Sequence, residues 1–228
     1  METKTISSSA VVALAAFLFA LPAELPAGSI FFDDFNSENG GVPTINYTGF
    51  ANWDVTRGRV DLIGPGLFDA YPGNGLYVDL DGSTVGGDQA IAGRLESKTV
   101  FPLAAPVYVL EFDLGGTTQT EDNIVTVSLG SVFSETFTLP NIPGLGTTPF
   151  THITRTISIA SPTSGRLVFD HAGGDNYGLI LDNVRLSAVP EPGSAILVGS
   201  CLLLLGLWKL RSRRRLALQR ADASRKSG

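Results

Sequence analysis

The sequence predicts an all-β body, a β-sandwich or jelly roll, carried between two hydrophobic ends. Three observations lead there. Over residues 30–187 the chain is a series of short runs in which apolar and polar residues alternate, the period of a half-buried strand. Gly, Pro, Asn and Asp separate those runs, and no stretch of the body carries a convincing helical repeat. The long apolar runs that do not alternate lie outside the body, at residues 10–21 and 195–210.

The amino end reads METKTISSSAVVALAAFLFALPAELPAGS. Lys4 and a free amine come first, then the apolar run, then small residues and prolines. That is the order of a secretory signal peptide, and the run is too short for a stable span. Residues 1–29 are expected to be removed on export. Ala27 and Ser29 fit a small-x-small pattern, and cleavage after Ala23 or Ala27 fits as well.

The body follows over residues 30–187. YVLEFDL places Tyr108, Leu110, Phe112 and Leu114 on one face of a strand. THITRTISIA places Ile153, Ile157 and Ile159 on one face and His152 on the other. IFFDDF, WDVTRGRVDL, GLYVDL, GRLESKTVF, NIVTVSL, SETFTL, GRLVFD and GLILDNVRL behave alike, which makes about ten strands. Many short strands with turn residues between them pack as a sandwich or jelly roll. LPNIPGLGTTP, residues 139–149, is expected to be an irregular exposed loop. No internal repeat points to a solenoid or propeller.

The carboxyl end differs in both hydropathy and charge. Residues 195–210 are 16 residues, about 24 Å as a helix at about 1.5 Å per residue. A hydrocarbon layer of about 30 Å prefers about 20 apolar residues. The segment, expected as a single transmembrane helix over about 194–210, therefore spans only if Lys209 and Arg211 snorkel. Lys209, Arg211, Arg213, Arg214 and Arg215 then place the tail in the cytoplasm and the body outside. Residues 30–188 hold eighteen Asp and Glu against seven Lys and Arg. Residues 209–226 hold eight of the sixteen basic residues and one acid, Asp222. So acidic a body argues against nucleic acid as a partner. The single cysteine, Cys201, excludes an intramolecular disulfide and a thiolate metal cluster.

Val189-Pro190-Glu191-Pro192, the short apolar segment and the arginine cluster occur in that order. Together they resemble the PEP-CTERM sorting signal of bacterial exported proteins. The resemblance implies a sorting signal over residues 188–215 and a basic cytoplasmic tail over 216–228. It implies recognition by an exosortase, a membrane-embedded cysteine transpeptidase-like enzyme, and cleavage near the motif. It also implies a link to exopolysaccharide and passage from the inner membrane to the cell surface or the medium. Two prolines hold such a site extended, as a processing enzyme needs. The tail runs 13 residues past Arg215, longer than the resemblance leads one to expect.

FFDDF, NWDVTRGRVDLIG, NGLYVDLDGS, YVLEFDLGG, DNIVTVSLG with SETFTL, and GGDNYGLILDNVRL look like a jelly-roll ectodomain similar to carbohydrate-binding modules. In such modules the first and last strands share a structural calcium ion. The resemblance thus implies Asp33, Asp34 and Asp182 as metal ligands, completed by backbone carbonyls. The same acids read equally as solvated strand ends and turn residues.

No catalytic constellation can be assembled, so the protein is expected not to be an enzyme. There are two histidines, His152 and His171, and no nucleophile elbow, phosphate loop or His-Glu-x-x-His motif. Cys201 lies in the apolar segment. Scattered acids make chance carboxylate pairs inevitable, which leaves a glycoside hydrolase as the weakest reading. Aromatic rings stack on sugars, and Tyr71, Tyr77 and Tyr177 lie in loop-rich contexts that suit such a role. Trp53 is expected in the core. The sequence thus points to an exported protein of the envelope or extracellular matrix, structural or adhesive, with carbohydrate binding to exopolysaccharide as the alternative.

Overall fold

The computed structural model describes residues 28–104, 106–118 and 123–189, together with Leu204, Leu205, Trp208 and Lys209. The four residues near the carboxyl end are helical, and the three apolar ones are exposed. No helix of the described residues is long and apolar enough to cross a membrane. Residues 1–27 of the expected signal peptide, the rest of the expected span, Pro190, Glu191, Pro192, Arg211, Arg213, Arg214 and Arg215 lie outside the described residues, whereas Gly28 and Ser29, expected to be removed with the signal peptide, begin the first strand of the body.

The body is an all-β jelly-roll sandwich. Its strands are β1 (Gly28–Asp33), β2 (Trp53–Arg57), β3 (Asp61–Ile63), β4 (Tyr77–Asp79), β5 (Arg94–Ser97), β6 (Phe101–Leu103) and β7 (Val107–Gly115). They continue as β8 (Ile124–Leu129), β9 (Phe133–Thr138), β10 (Thr151–Ser158), β11 (Thr163–Gly165), β12 (Leu167–Ala172) and β13 (Ile180–Val189). One sheet runs β10-β7-β13-β4-β3, with β1 also paired to β13. The facing sheet runs β2-β5-β12-β8-β9, and β11 and β6 form a small separate ribbon. Every strand pair is antiparallel.

Alternation places the side chains. In β7 Tyr108, Leu110, Phe112 and Leu114 are buried, and in β10 Ile153 and Ile157 are buried while His152 is exposed. Trp53 sits at the centre of an aromatic packing unit, 5.4 Å from the Phe31 ring and 5.8 Å from that of Phe169, both edge-on. Two of the longer expected strands divide. WDVTRGRVDL breaks between β2 and β3 where Gly58 takes φ +61, and a Cβ there would lie 2.2 Å from the Ala92 carbonyl oxygen. GRLESKTVF breaks into β5 and β6. β11 carries no apolar alternation, so the pattern gave it no signal.

β3 and β4 are buried on both faces because a second, smaller core covers their outer side. Leu62, Val78 and Leu181 point into the sandwich, whereas Ile63, Tyr77 and Ile180 point outward into a cluster with Ala70, Tyr71 and Ile142. Two loops roof that cluster, joined where the Gly146 N–H donates to the Ala70 carbonyl at 2.8 Å. Residues 139–149 are irregular and mostly exposed, as expected, except that Ile142 is buried and anchors the loop, while Leu145 points to solvent.

Candidate functional site

Of the acids expected to share an ion, Asp33 lies on β1 and Asp182 on β13, while Asp34 follows the end of β1. Asp33 ends β1 opposite Val184 of β13, and Asp182 faces Asp113 of β7 directly across the ladder. A bulge lies between Asp182 and Arg185, and Asn183 within it takes φ +51, which an asparagine tolerates. The bulge places the Asn183 amide between the opposed carboxylates. Its Nδ2 donates to Asp113 Oδ2 at 2.9 Å and to Asp182 Oδ2 at 3.2 Å, and its backbone N–H donates to Asp182 Oδ1 at 2.8 Å. Asp113 also holds the exposed His152 ring, Nδ1 to Oδ1 at 2.7 Å, and that bond raises the affinity of the imidazole for its proton.

Asp182 is 1% exposed. Burial pushes its carboxyl up to about 7, and the nearby charges of Asp113, Asp34 and Asp33 push the same way. The hydrogen bond that it accepts from the Asn183 N–H works in the other direction. Asp33 has a different task. Its Oδ1 accepts from the Phe35 N–H at 2.9 Å, and its Oδ2 accepts from Trp53 Nε1 at 2.9 Å and Asn52 Nδ2 at 3.0 Å. Among the described residues no three His, Cys, Asp or Glu side chains are grouped to hold a metal. Asp34 Oδ1 accepts from the Asn36 N–H at 3.2 Å, and Asp33 is committed to the tryptophan.

The three tyrosines separate. Tyr71 and Tyr77 are buried in the outer cluster, contrary to the expectation that they stack on sugar. The Tyr71 ring lies 4.0 Å from that of Phe150, stacked, and its hydroxyl donates to the Gly116 carbonyl at 2.7 Å. The Tyr77 hydroxyl accepts from the Tyr71 N–H and donates to Asp69 Oδ1. Burial raises both phenols. Their polar contexts in sequence reflect hydroxyls that must find partners indoors, so neither ring has a free face. Tyr177 remains 44% exposed.

A second group of acids was not legible in the sequence as a site. Asp61 and Asp79 face each other across β3 and β4, and Asp81 follows β4. All three are buried and serve backbone amides. Asp61 accepts from the N–H groups of Asn46 and Ser83 and from the Ser83 hydroxyl. Asp79 Oδ1 accepts from the Asp81 and Gly178 N–H groups, and Asp81 Oδ2 accepts from those of Gly174 and Asp175. Burial, reinforced by the other acids, raises Asp79 well above the usual carboxylate range and raises Asp81 as well. The signal was the alternation in Val78-Asp79-Leu80-Asp81, which turns two acids to the side opposite the core, where the segment 173–178 lies against them.

Sequence reasoning also missed Phe68. It is 60% exposed at φ +49, next to Asp69. The backbone on either side is pinned: Gly64 and Leu67 exchange two hydrogen bonds, and Ala70 and Tyr71 are buried. A bulky residue in that conformation persists only where its surroundings over-determine it.

No protein-family model matches the chain, and no curated protein matches it. Solved structures do. The K2 cleaved adhesin domain of Lys-gingipain is 18% identical at a TM-score of 0.44, over 70% of this chain and 99% of that one. A family 35 carbohydrate-binding module from Clostridium thermocellum is 13% identical at 0.36, over 70% and 99%. The C-terminal CBM6 of LamC, a laminarinase of Zobellia galactanivorans, is 12% identical at 0.35, over 63% and 96%. Likenesses this remote carry no argument about what the chain binds.

Proposed function

We propose that the protein is exported, held in the inner membrane by its carboxyl segment, and handed to an exosortase that cleaves near Val189-Pro190-Glu191-Pro192. Its mature role is structural or adhesive, in the envelope or in an exopolysaccharide matrix, and it is not an enzyme. The observation that carries this reading is where the last described strand of the body ends. β13 runs to Val189, paired with Val107, and Pro190 comes next, a residue that lacks the N–H a ladder needs. β13 ends on Val189, the first residue of the motif, so cleavage beyond Val189 would leave the described strands whole. At the other end Gly28 pairs with Ala188, and the regular part of the β1 ladder starts at Phe31. Removal of residues 1–29 leaves Phe31, Phe32 and Asp33 paired. Deleting residues 189–228 is expected to give a freely soluble exported protein; if the truncated chain stays with the membrane as before, the sorting role fails.

A structural calcium ion, bound through Asp34 and Asp182, belongs to this reading. It would neutralise buried negative charge where the first and last strands meet.

Phe68 and Tyr177 favour a second reading, in which the body binds polysaccharide. Rigid exposed rings beside the carboxylates of Asp69 and Asp175 offer an apolar face and a hydrogen-bonding edge, the two things a sugar ring takes. Titration of the exported protein with the producer's exopolysaccharide discriminates. Saturable binding lost in Phe68→Ala supports recognition, and no saturable binding leaves the structural role.

A further inference from the structure

We propose that His171 is an acid-released latch on the segment of residues 173–179: a proton on its ring frees the Leu179 amide and unfastens the loop that presents Tyr177. His171 lies on β12 and is 1% exposed. Its Nε2 accepts from the Leu179 N–H at 3.1 Å. A nitrogen that accepts carries no proton, so the single proton of the neutral ring is on Nδ1. A second proton can then go only to Nε2. There it meets the Leu179 N–H donor to donor, and the bond cannot survive. The latch therefore follows from which nitrogen faces the amide.

The rest of the segment is fastened by groups that weaken in the same direction. Asp81 holds the Gly174 and Asp175 amides, and Asp79 holds that of Gly178. Protonation turns each carboxylate into a poorer acceptor. The tie from the Thr84 N–H to Asn176 Oδ1, at 2.8 Å, does not titrate and serves as a tether. Gly173 lets the ring approach, since a Cβ there would lie 2.9 Å from His171 Nδ1 and 3.0 Å from Asp81 Oδ2. Neither His171 Nδ1 nor Asp81 Oδ1 has a hydrogen-bond partner of its own.

The charges around the ring decide when the latch opens. From β2, Arg57 reaches the His171 carbonyl with Nη2 at 2.7 Å and opposes a second positive charge. From β12 itself comes Asp170, bound by Arg57 and by Arg94 of β5. Asp79 and Asp81 stand beside the segment, which carries Asp175. Burial first, and Arg57 second, hold the imidazole down at about 4. The latch is closed at neutral pH and opens in acid.

Hydrogen exchange read by mass spectrometry tests this on the full chain in detergent micelles, with β7 as the internal reference. Between pH 6 and pH 4 residues 173–179 should lose protection relative to β7. The loss should exceed that in His171→Gln by roughly tenfold or more, the growth in the protonated fraction of the ring. Glutamine keeps an oxygen for the Leu179 amide and cannot titrate. A smaller difference overturns the proposal. Should the variant not fold, the nitrogen-15 shifts of the native ring decide. A bare Nε2 at pH 7 and a Leu179 amide that titrates with the ring support the latch; a proton on Nε2, or an amide that stays still, overturns it.

Discussion

Trp53 and Asp33 form a buried polar contact that ties the first strand of the body to its largest core side chain. The indole N–H donates to Asp33 Oδ2, and Asn52 supplies that oxygen's other donor. Trp53→Phe keeps most of the apolar area but removes one donor from a buried carboxylate. The expected loss is about 1–3 kcal/mol in denaturant unfolding with an unchanged slope. Asp182 has the opposite character, because its own ionisation is the problem. Folded, its carboxyl titrates at about 7, whereas unfolded it titrates at about 3.9. Between those values the native state holds a proton that the unfolded state has released. Its contribution to stability therefore falls as pH rises from about 4 to 7, by on the order of 4 kcal/mol. His171 works with the opposite sign, since its folded value is depressed to about 4. The unfolded state holds the extra proton up to about 6.5, and stability rises with pH across that window. In the native chain the two oppose each other, and Asp79 and Asp81, also raised by burial, act in the same direction as Asp182. Asp182→Asn should remove that residue's share, so that stability changes more favourably with rising pH between 4 and 7 than it does in the native chain, and an unchanged pH profile would contradict the burial argument. Trp53 as a core residue was legible from its place in an alternating run. Asp113 as the partner of Asp182 was not, because it lies on another strand and only the β7–β13 register brings the two together.

At the scale of the element, alternation predicts the strands that are covered on one side and misreads those covered on both. β7, β8 and β10 obey it residue by residue. β3 and β4 do not, since the outer cluster buries their second face and draws Tyr77 inward with it. Tyr71 and Tyr77 looked like loop aromatics for the same reason: the roof over β3 and β4 is made of loops, which carry no periodic signal. The segment 173–178 illustrates how such loops are fixed, by backbone amides delivered to buried acids. A Cβ on Gly178 would lie 2.4 Å from the Asp81 nitrogen and 2.7 Å from Asp79 Oδ1. Gly178→Ala should therefore force the segment off Asp79 and cost about 1–3 kcal/mol, measured by thermal unfolding. A neutral effect would mean the loop is held elsewhere.

For the whole molecule, the first described strand of the body pairs with the last, Gly28 opposite Ala188. If calcium joins Asp34 and Asp182, chelation should lower the melting temperature, and more at pH 8 than at pH 5, where Asp182 keeps a proton in place of the ion. No shift with EDTA at pH 8 removes the metal. The most direct test of the central claim is the intact mass of the protein recovered from culture medium. A chain that starts within a few residues of Ile30 and ends close to Pro192 is the predicted result. A full-length chain of 24.0 kDa, found only in the cytosol, would contradict it.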